Sequence, residues 1–313
     1  MNSGGRFALS EPARRRALSG GPEGAAWLAD LDAILASLEH DWAIRIGTSL
    51  EGGSAAFVAE ARDGAGNKSV IKVGSPGSRL GRHEAEVLRR ADGKGYARLL
   101  RVDGERNALL LEKLGPSLAT LGLPYSQQVD IMCATLLEAW HPVPLNATFM
   151  TGAEKANLLG ADIVAMWHRT GQPCPSAAID TALLYCQERA RLYRPEGTVL
   201  AHGDPHPANT LMVPGTDPVR FKFVDPDGLA IEPAYDLGVL LRAWNEGLDG
   251  RNAYNLARSR VRLMTQYTQV PAEPIWQWAF IERVSTGLLL LEIGDAALGR
   301  QYLRVAEALL LPS

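Results

Sequence analysis

Cysteine is scarce in this chain. Cys133, Cys174 and Cys186 are the only three in 313 residues, and no two form a CxxC pair. An odd, scattered set excludes a disulfide framework and a cysteine zinc site, and suits small buried residues in a reducing compartment. Charge of one sign is also missing. Lysine and arginine number 32 against 35 aspartates and glutamates, a net charge of -3. So even a balance supports neither a nucleic-acid nor a membrane-surface partner. Long hydrophobic runs are absent: the leucine run Leu288 to Leu291 falls far short of a bilayer. Arg14-Arg15-Arg16 is followed by Ala-Leu-Ser-Gly-Gly-Pro rather than an apolar stretch, so no signal peptide is expected. Internal repeats and low-complexity segments are lacking too. Together these absences predict a cytoplasmic protein.

What remains is ordinary globular composition, 46 % hydrophobic and 21 % charged, enough to bury a full core. The length suits one large domain or two lobes sharing a cleft. Residues 1–20 read as a flexible polar tail, and 24–39 as an amphipathic helix carrying Trp27, Leu28, Leu31, Ile34, Leu35 and Leu38. Short strand-like runs follow at 43–48, 55–61 and 69–73, then a helix over 79–91, then strands at 98–103 and 107–113. Beyond Gly115-Pro116 helical periodicity dominates, at 125–140, 152–170, 176–193, 234–246, 252–268, 273–293 and 296–310. One hairpin interrupts it at 210–224. The class is α+β: a small β-rich lobe over 21–115 and a larger, mainly helical lobe over 116–313.

The chemistry concentrates in Leu200-Ala-His202-Gly203-Asp204-Pro205-His206-Pro207-Ala-Asn209. Two prolines and a glycine forbid a regular helix or central strand, so this is a shaped loop. The hairpin follows at once, and the open ends of two antiparallel strands are neighbours. Asn209 enters it and Asp225 leaves it, so an amide oxygen and a carboxylate come together with Asp204 one loop away. Hard oxygen ligands of this kind suit magnesium, which keeps waters or phosphate oxygens in its shell. A further carboxylate can orient an attacking hydroxyl and receive its proton, which completes a minimal set for phosphoryl transfer. His202-x-Asp204-x-His206 could also suggest a metallohydrolase, but His40, His83, His141 and His168 add no paired spacing.

HGD-x4-N followed by a hairpin and an aspartate resembles the aminoglycoside phosphotransferase and choline kinase-like superfamily, from about residue 42 onward. The run FVDPDGLAIEPAYDLGVLLR is most similar to its streptomycin 6-phosphotransferase and hydroxyurea kinase branch. The resemblance implies a two-lobed protein-kinase-like fold, ATP and Mg2+ as cofactors, and a small-molecule hydroxyl as acceptor. It makes Asp204 the catalytic base and Asn209 and Asp225 the metal ligands. Asp236 would brace the catalytic loop, with His202 as a structural buttress. Relatives often carry Asp-x-Gly at the metal aspartate; here Asp225-Pro226-Asp227-Gly228 leaves Asp227 open as a second ligand or a turn residue.

A kinase needs a lysine for the α- and β-phosphates and a glutamate to hold it. Lys72 lies in Val70-Ile71-Lys72-Val73, on the strand face opposite Ile71 and Val73. Glu84 falls on the apolar stripe of the next helix with Leu80, Leu88 and Ala91, and a buried carboxylate requires a partner. Glu86, on the polar face, is the alternative. By resemblance the turn with Ser49, Gly52 and Gly53 covers the phosphates, and the main chain from Glu112 to Leu114 meets adenine. A cationic acceptor would want carboxylates in the helical lobe. Glu246, Asp249, Glu282, Glu292 and Asp295 are available; Trp244, Glu246 and Glu282 are the candidate acceptor contacts. The acceptor is expected to be a streptomycin-type aminoglycoside, with another metabolite alcohol as the alternative. A catalytically silent pseudokinase is the rival class.

Overall fold

The computed structural model describes residue 7 and residues 9–50, 56–76, 83–143, 148–248 and 250–310. The chain forms two compact units, Met1–Gly115 with Met212–Val224, and Pro116–Leu211 with Asp225–Ser313.

The first unit opens with helices α1 (Glu11–Ser19) and α2 (Gly21–Trp42). The expected flexible tail is therefore helical over its second half. Ser10 caps α1 by accepting from the Ala13 N–H, and proline occupies the first turn, a start signal that polarity alone obscures. Gly24 allows the two helices to meet, since a Cβ there would lie 1.8 Å from the Ala17 carbonyl oxygen. Next come β1 (Ile44–Ser49), β2 (Ala56–Asp63), β3 (Lys68–Gly74), helix α3 (Ala85–Ala91), β4 (Leu99–Asp103) and β5 (Ala108–Glu112). They make an antiparallel sheet in the order β1-β2-β3-β5-β4. Strand alternation turns Phe57, Ala59, Ala61, Ile71, Val73 and Leu110 to one face, where Trp27, Leu31, Leu35, Leu38 and Trp42 of α2 cover them. Lys72, opposite Val58 and Leu109 in register, belongs to the other face.

The second unit is built from α4 (Tyr125–Ala139), β6 (His141–Pro142), β7 (Met150–Thr151), α5 (Gly152–Arg169), α6 (Ser176–Leu192) and β8 (Val199–Ala201). A ribbon of β9 (Thr210–Met212) and β10 (Phe221–Phe223) intervenes. After it come β11 (Leu229–Ile231), α7 (Ala234–Ala243), α8 (Ala253–Thr268), α9 (Ala272–Glu292) and α10 (Ala296–Ala308). The segment Met212–Val224 belongs to the first unit, where Ala97 N–H donates to Phe223 O and Phe223 N–H to Gly95 O, a placement that linear periodicity does not contain. A small sheet in the order β6-β8-β11-β7 carries the loops that matter, with β11 antiparallel to β8. α9 is buried on nearly every side from Ile275 to Leu288, its polar members Gln277, Glu282 and Arg283 included. Helix α7 lies directly on it at Gly238, whose missing side chain permits the approach.

A Cβ at Gly238 would lie 2.6 Å from Trp278 Cβ and 2.8 Å from the Ala279 nitrogen, so the helices must part. Gly238→Ala is expected to destabilise by roughly 1–3 kcal/mol, the overpacking range. In Gly160→Ala the nearest neighbour would stand at 3.6 Å, an ordinary contact. That variant should hold or raise the melting temperature, because alanine suits a helix interior better than glycine. Equal melting of the two variants would contradict the close crossing.

Candidate active site

β8 ends at Ala201 and the chain bends immediately. Gly203 takes φ +94°, a conformation open to glycine, and a Cβ there would press on Asp227 Cβ at 2.8 Å. The β8–β11 pairing sets that contact: Leu229 lies opposite Ala201, and the Asp227 N–H donates to the His202 carbonyl at 2.8 Å. Thus His202 to Asp204 and Asp225 to Gly228 run beside each other. Asp225 and Asp227 are both exposed, and Asp225 adopts φ +61°. Asn209 ends a short 3-10 turn (Pro207–Asn209), and its Nδ2 donates to the Asp204 carbonyl at 3.3 Å. The His206 carbonyl receives the Asn209 N–H and the Thr210 hydroxyl, so His206 caps the loop through its main chain.

One buried carboxylate holds this loop. Asp236, in the first turn of α7, accepts from the His202 N–H at 3.0 Å, the Gly203 N–H at 2.9 Å and Trp140 Nε1 at 2.9 Å. Burial pushes its carboxyl above the ordinary 3.8, against the pull of the His202 ring and these donors. His202 is fully buried, and its Nδ1 accepts the Asp204 N–H at 3.1 Å, which leaves the ring's other nitrogen to carry a proton.

Asp204 has its own ionic partner. Arg242, near the end of α7, donates from Nη2 to Asp204 Oδ1 at 2.8 Å. Burial would raise the Asp204 carboxyl, but Arg242 and then His206 outweigh it and hold it below 3.8. His206 Nε2 stands 3.6 Å from Asp204 Oδ2. Burial lowers the His206 ring below its ordinary 6.5, and the Asp204 carboxylate only partly offsets this. Arg242 Nη1 donates to Glu282 Oε2 at 3.1 Å, and Glu282 Oε1 receives the Tyr235 hydroxyl at 2.5 Å. Glu282, expected as an acceptor contact, is thus a buried member of an ion network; helical periodicity cannot tell such an acid from a solvated one. Glu292 and Asp295 are also engaged, with Arg169 and as the cap of α10. Asp249 lies outside the described residues.

In the first unit Lys72 Nζ meets both Glu84 oxygens, at 2.9 and 2.7 Å, and both residues are buried. Glu86 instead pairs with Arg89 and Arg90 at the surface. Ser49 closes β1, while Gly52 and Gly53 lie outside the described residues. The Glu112 N–H donates to Arg98 O, and the Glu112 carboxylate accepts from the Arg98 N–H and Lys222. Its own N–H is therefore no donor to a ligand. Leu114 is buried.

Trp244 and Glu246 follow α7 and line a pocket of about 700 Å³ with Leu123, Tyr125, Gln128 and Arg260. Trp244 packs edge-on against Tyr125 and donates to Gln128 Oε1 at 3.4 Å. Arg260 holds this wall by donating to the carbonyls of Trp244 and Glu246, at 2.7 and 2.6 Å. Tyr125, Arg242 and Arg260 escaped the sequence reading, which had no local pattern to single them out.

Among the described residues no three His, Cys, Asp or Glu side chains form a cage for a metal. A zinc centre is built from such a cage. Magnesium needs only one or two protein oxygens beside substrate phosphate; Asp225 and Asp227 are exposed acids in the turn beside the HGD loop. No helix among them is long and apolar enough to cross a membrane.

The family model described as aminoglycoside/hydroxyurea antibiotic resistance kinase matches residues 41–294. Streptomycin 6-kinase of Streptomyces griseus is 25 % identical over 299 residues, 94 % of each chain. The fold is shared with a choline kinase of Streptococcus pneumoniae, at TM-score 0.59 and 13 % identity over 90 % of this chain and 99 % of that one. It is shared also with an aminoglycoside phosphotransferase of Streptomyces rimosus, solved with ADP and streptomycin, at TM-score 0.54 and 18 % identity over 82 % and 98 %.

Because the Asp204 carboxyl is depressed in the folded chain, its stabilisation is present above the unfolded value and is lost as pH falls through the folded one. The stability gap between the wild type and Asp204→Asn, followed by urea unfolding, should close as pH drops below 3.8. A gap independent of pH would contradict the Arg242 pairing.

Proposed function

Since the chain belongs to the aminoglycoside/hydroxyurea antibiotic resistance kinase family and is therefore a small-molecule kinase, we propose that it transfers the γ-phosphate of ATP to a hydroxyl of a streptomycin-type aminoglycoside in the cytoplasm. The observation that carries this reading is the Asp204 carboxylate, held ionised at the mouth of a loop whose main chain Asp236 fixes.

In the proposed reaction the acceptor hydroxyl lies against Asp204 Oδ2. Its oxygen bonds to the γ-phosphorus while the bond from that phosphorus to the β–γ bridging oxygen breaks. ADP leaves with the electron pair, and the hydroxyl proton passes to Asp204 late in the step. A carboxyl with a depressed pKa is a weak base, which suits a loose transition state where orientation outweighs proton abstraction. Asn209 and Asp225 would hold magnesium, with Asp227 as a second candidate acid, and the bound ion would supply neutralisation of charge on the phosphate oxygens. Lys72, oriented by Glu84, contacts the α- and β-phosphates. The turn around Ser49, Gly52 and Gly53 covers the phosphates, and the main chain near Leu114 meets adenine. Trp244 and Glu246 seat the acceptor, the indole as a flat wall and the exposed carboxylate as the partner of a cationic group. His202 buttresses the loop.

With streptomycin and magnesium–ATP, ADP release by Asp204→Asn should fall by about 10²–10⁴-fold, the usual contribution of a positioned base, while ATP still binds. Lys72→Met should instead weaken ATP binding. Undiminished turnover in the Asp204 variant would overturn the assignment. Silence of the wild type with streptomycin, but turnover with another alcohol, would overturn the acceptor alone.

A further inference from the structure

Asp204 is half-exposed, with 41 % of its side chain open to solvent, and sits on an irregular loop. Left to itself such a carboxylate would sample several rotamers, and ordering it for catalysis would carry an entropic cost. The partner that orders it is better fixed. Arg242 is only 16 % exposed and its guanidinium is gripped from α9, by Glu282 at 3.1 Å and by the Thr286 hydroxyl at 3.3 Å. Glu282 is held in turn by the Tyr235 hydroxyl, and Lys155 Nζ stands 4.0 Å from it.

We propose that Arg242 is a positioning residue for phosphoryl transfer: clamped by Glu282, it takes Oδ1 of Asp204 and so presents Oδ2 to the acceptor hydroxyl. The inference rests on Asp204 being the group that meets that hydroxyl. A guanidinium suits the task because its donors form a rigid planar fork, so fixing one amino group on Glu282 fixes the direction of the other. An arginine serving stability alone would be satisfied by the buried Glu282. Its bond to a half-exposed acid adds a modest, pH-dependent increment to folding, smaller than that of the buried Glu282 contact. What the bond adds beyond that is direction. Asp236 and Arg242 lie on the same helix, one holding the main chain of the loop and the other its carboxylate. Asp204 is thus located at both ends by α7.

The test uses Arg242→Ala and, because Glu282 would otherwise be left as an unpaired buried charge, the double variant Arg242→Ala with Glu282→Gln. ADP release is followed with streptomycin, and with water as acceptor in its absence. In the folded variants kcat should fall by about 10²-fold, the scale for a misplaced reacting group, with KM for ATP unchanged. Millimolar guanidinium ion should restore part of the rate by refilling the site, whereas urea, of the same shape without charge, should not. Full kcat in a folded variant, a KM effect in place of the kcat effect, or rescue by urea would each overturn the proposal. If the wild type turns over water but not streptomycin, the acceptor assignment fails while Arg242 is still tested on the water reaction. If it turns over neither, nor any other alcohol, the Asp204 reading fails and the role of Arg242 fails with it.

Discussion

The second unit depends on one fully buried carboxylate. Asp236 takes hydrogen bonds from two consecutive backbone amides of the buried His202-Gly203 turn and from the half-buried Trp140 indole. Each buried amide would cost roughly 1–3 kcal/mol if left unpaired, so the acid repays its own desolvation by satisfying both. Gly203 is the complement: only a residue without a Cβ can present its N–H to Asp236 while Asp227 crowds its other side. The loop is therefore held by backbone geometry first, and its side chains are displayed from a rigid base.

The first unit uses the same logic with different groups. Lys72 and Glu84 are both buried and bonded through both carboxylate oxygens. A buried ion pair is a doubtful source of stability, yet removing one member is costly, because the other alone is a stranded charge. The pair links the middle strand of the sheet to the start of α3. Its lysine is left in one defined position, as the proposed contact with phosphate requires.

Much of this was legible in the chain. Alternation placed Lys72 opposite Ile71 and Val73, and helical spacing put Glu84 on an apolar face, so their meeting followed from the need to pair a buried acid. The HGD loop and the hairpin were readable because proline, glycine and period-two alternation are local signals. The α1 cap at Ser10 was equally local but lay within a polar stretch. What lay beyond reach was long-range. Arg242 and Glu282 sit on different helices, and nothing in their neighbourhoods announces that one charge answers the other. Strands β6, β7, β8 and β11 span two or three residues each, too few for any period to register, yet β8 and β11 align the two active loops. Glu112 looked like part of a bare hinge because Lys222, its partner, is far along the chain.

Phosphorus NMR of the full chain with magnesium–ATP and streptomycin follows the phosphoryl group from donor to acceptor. The expected result is one new phosphomonoester resonance that grows as ATP is consumed and does not form with Asp204→Asn. ATP converted only to ADP and inorganic phosphate, or an ester formed equally well by the Asp204 variant, would contradict the account.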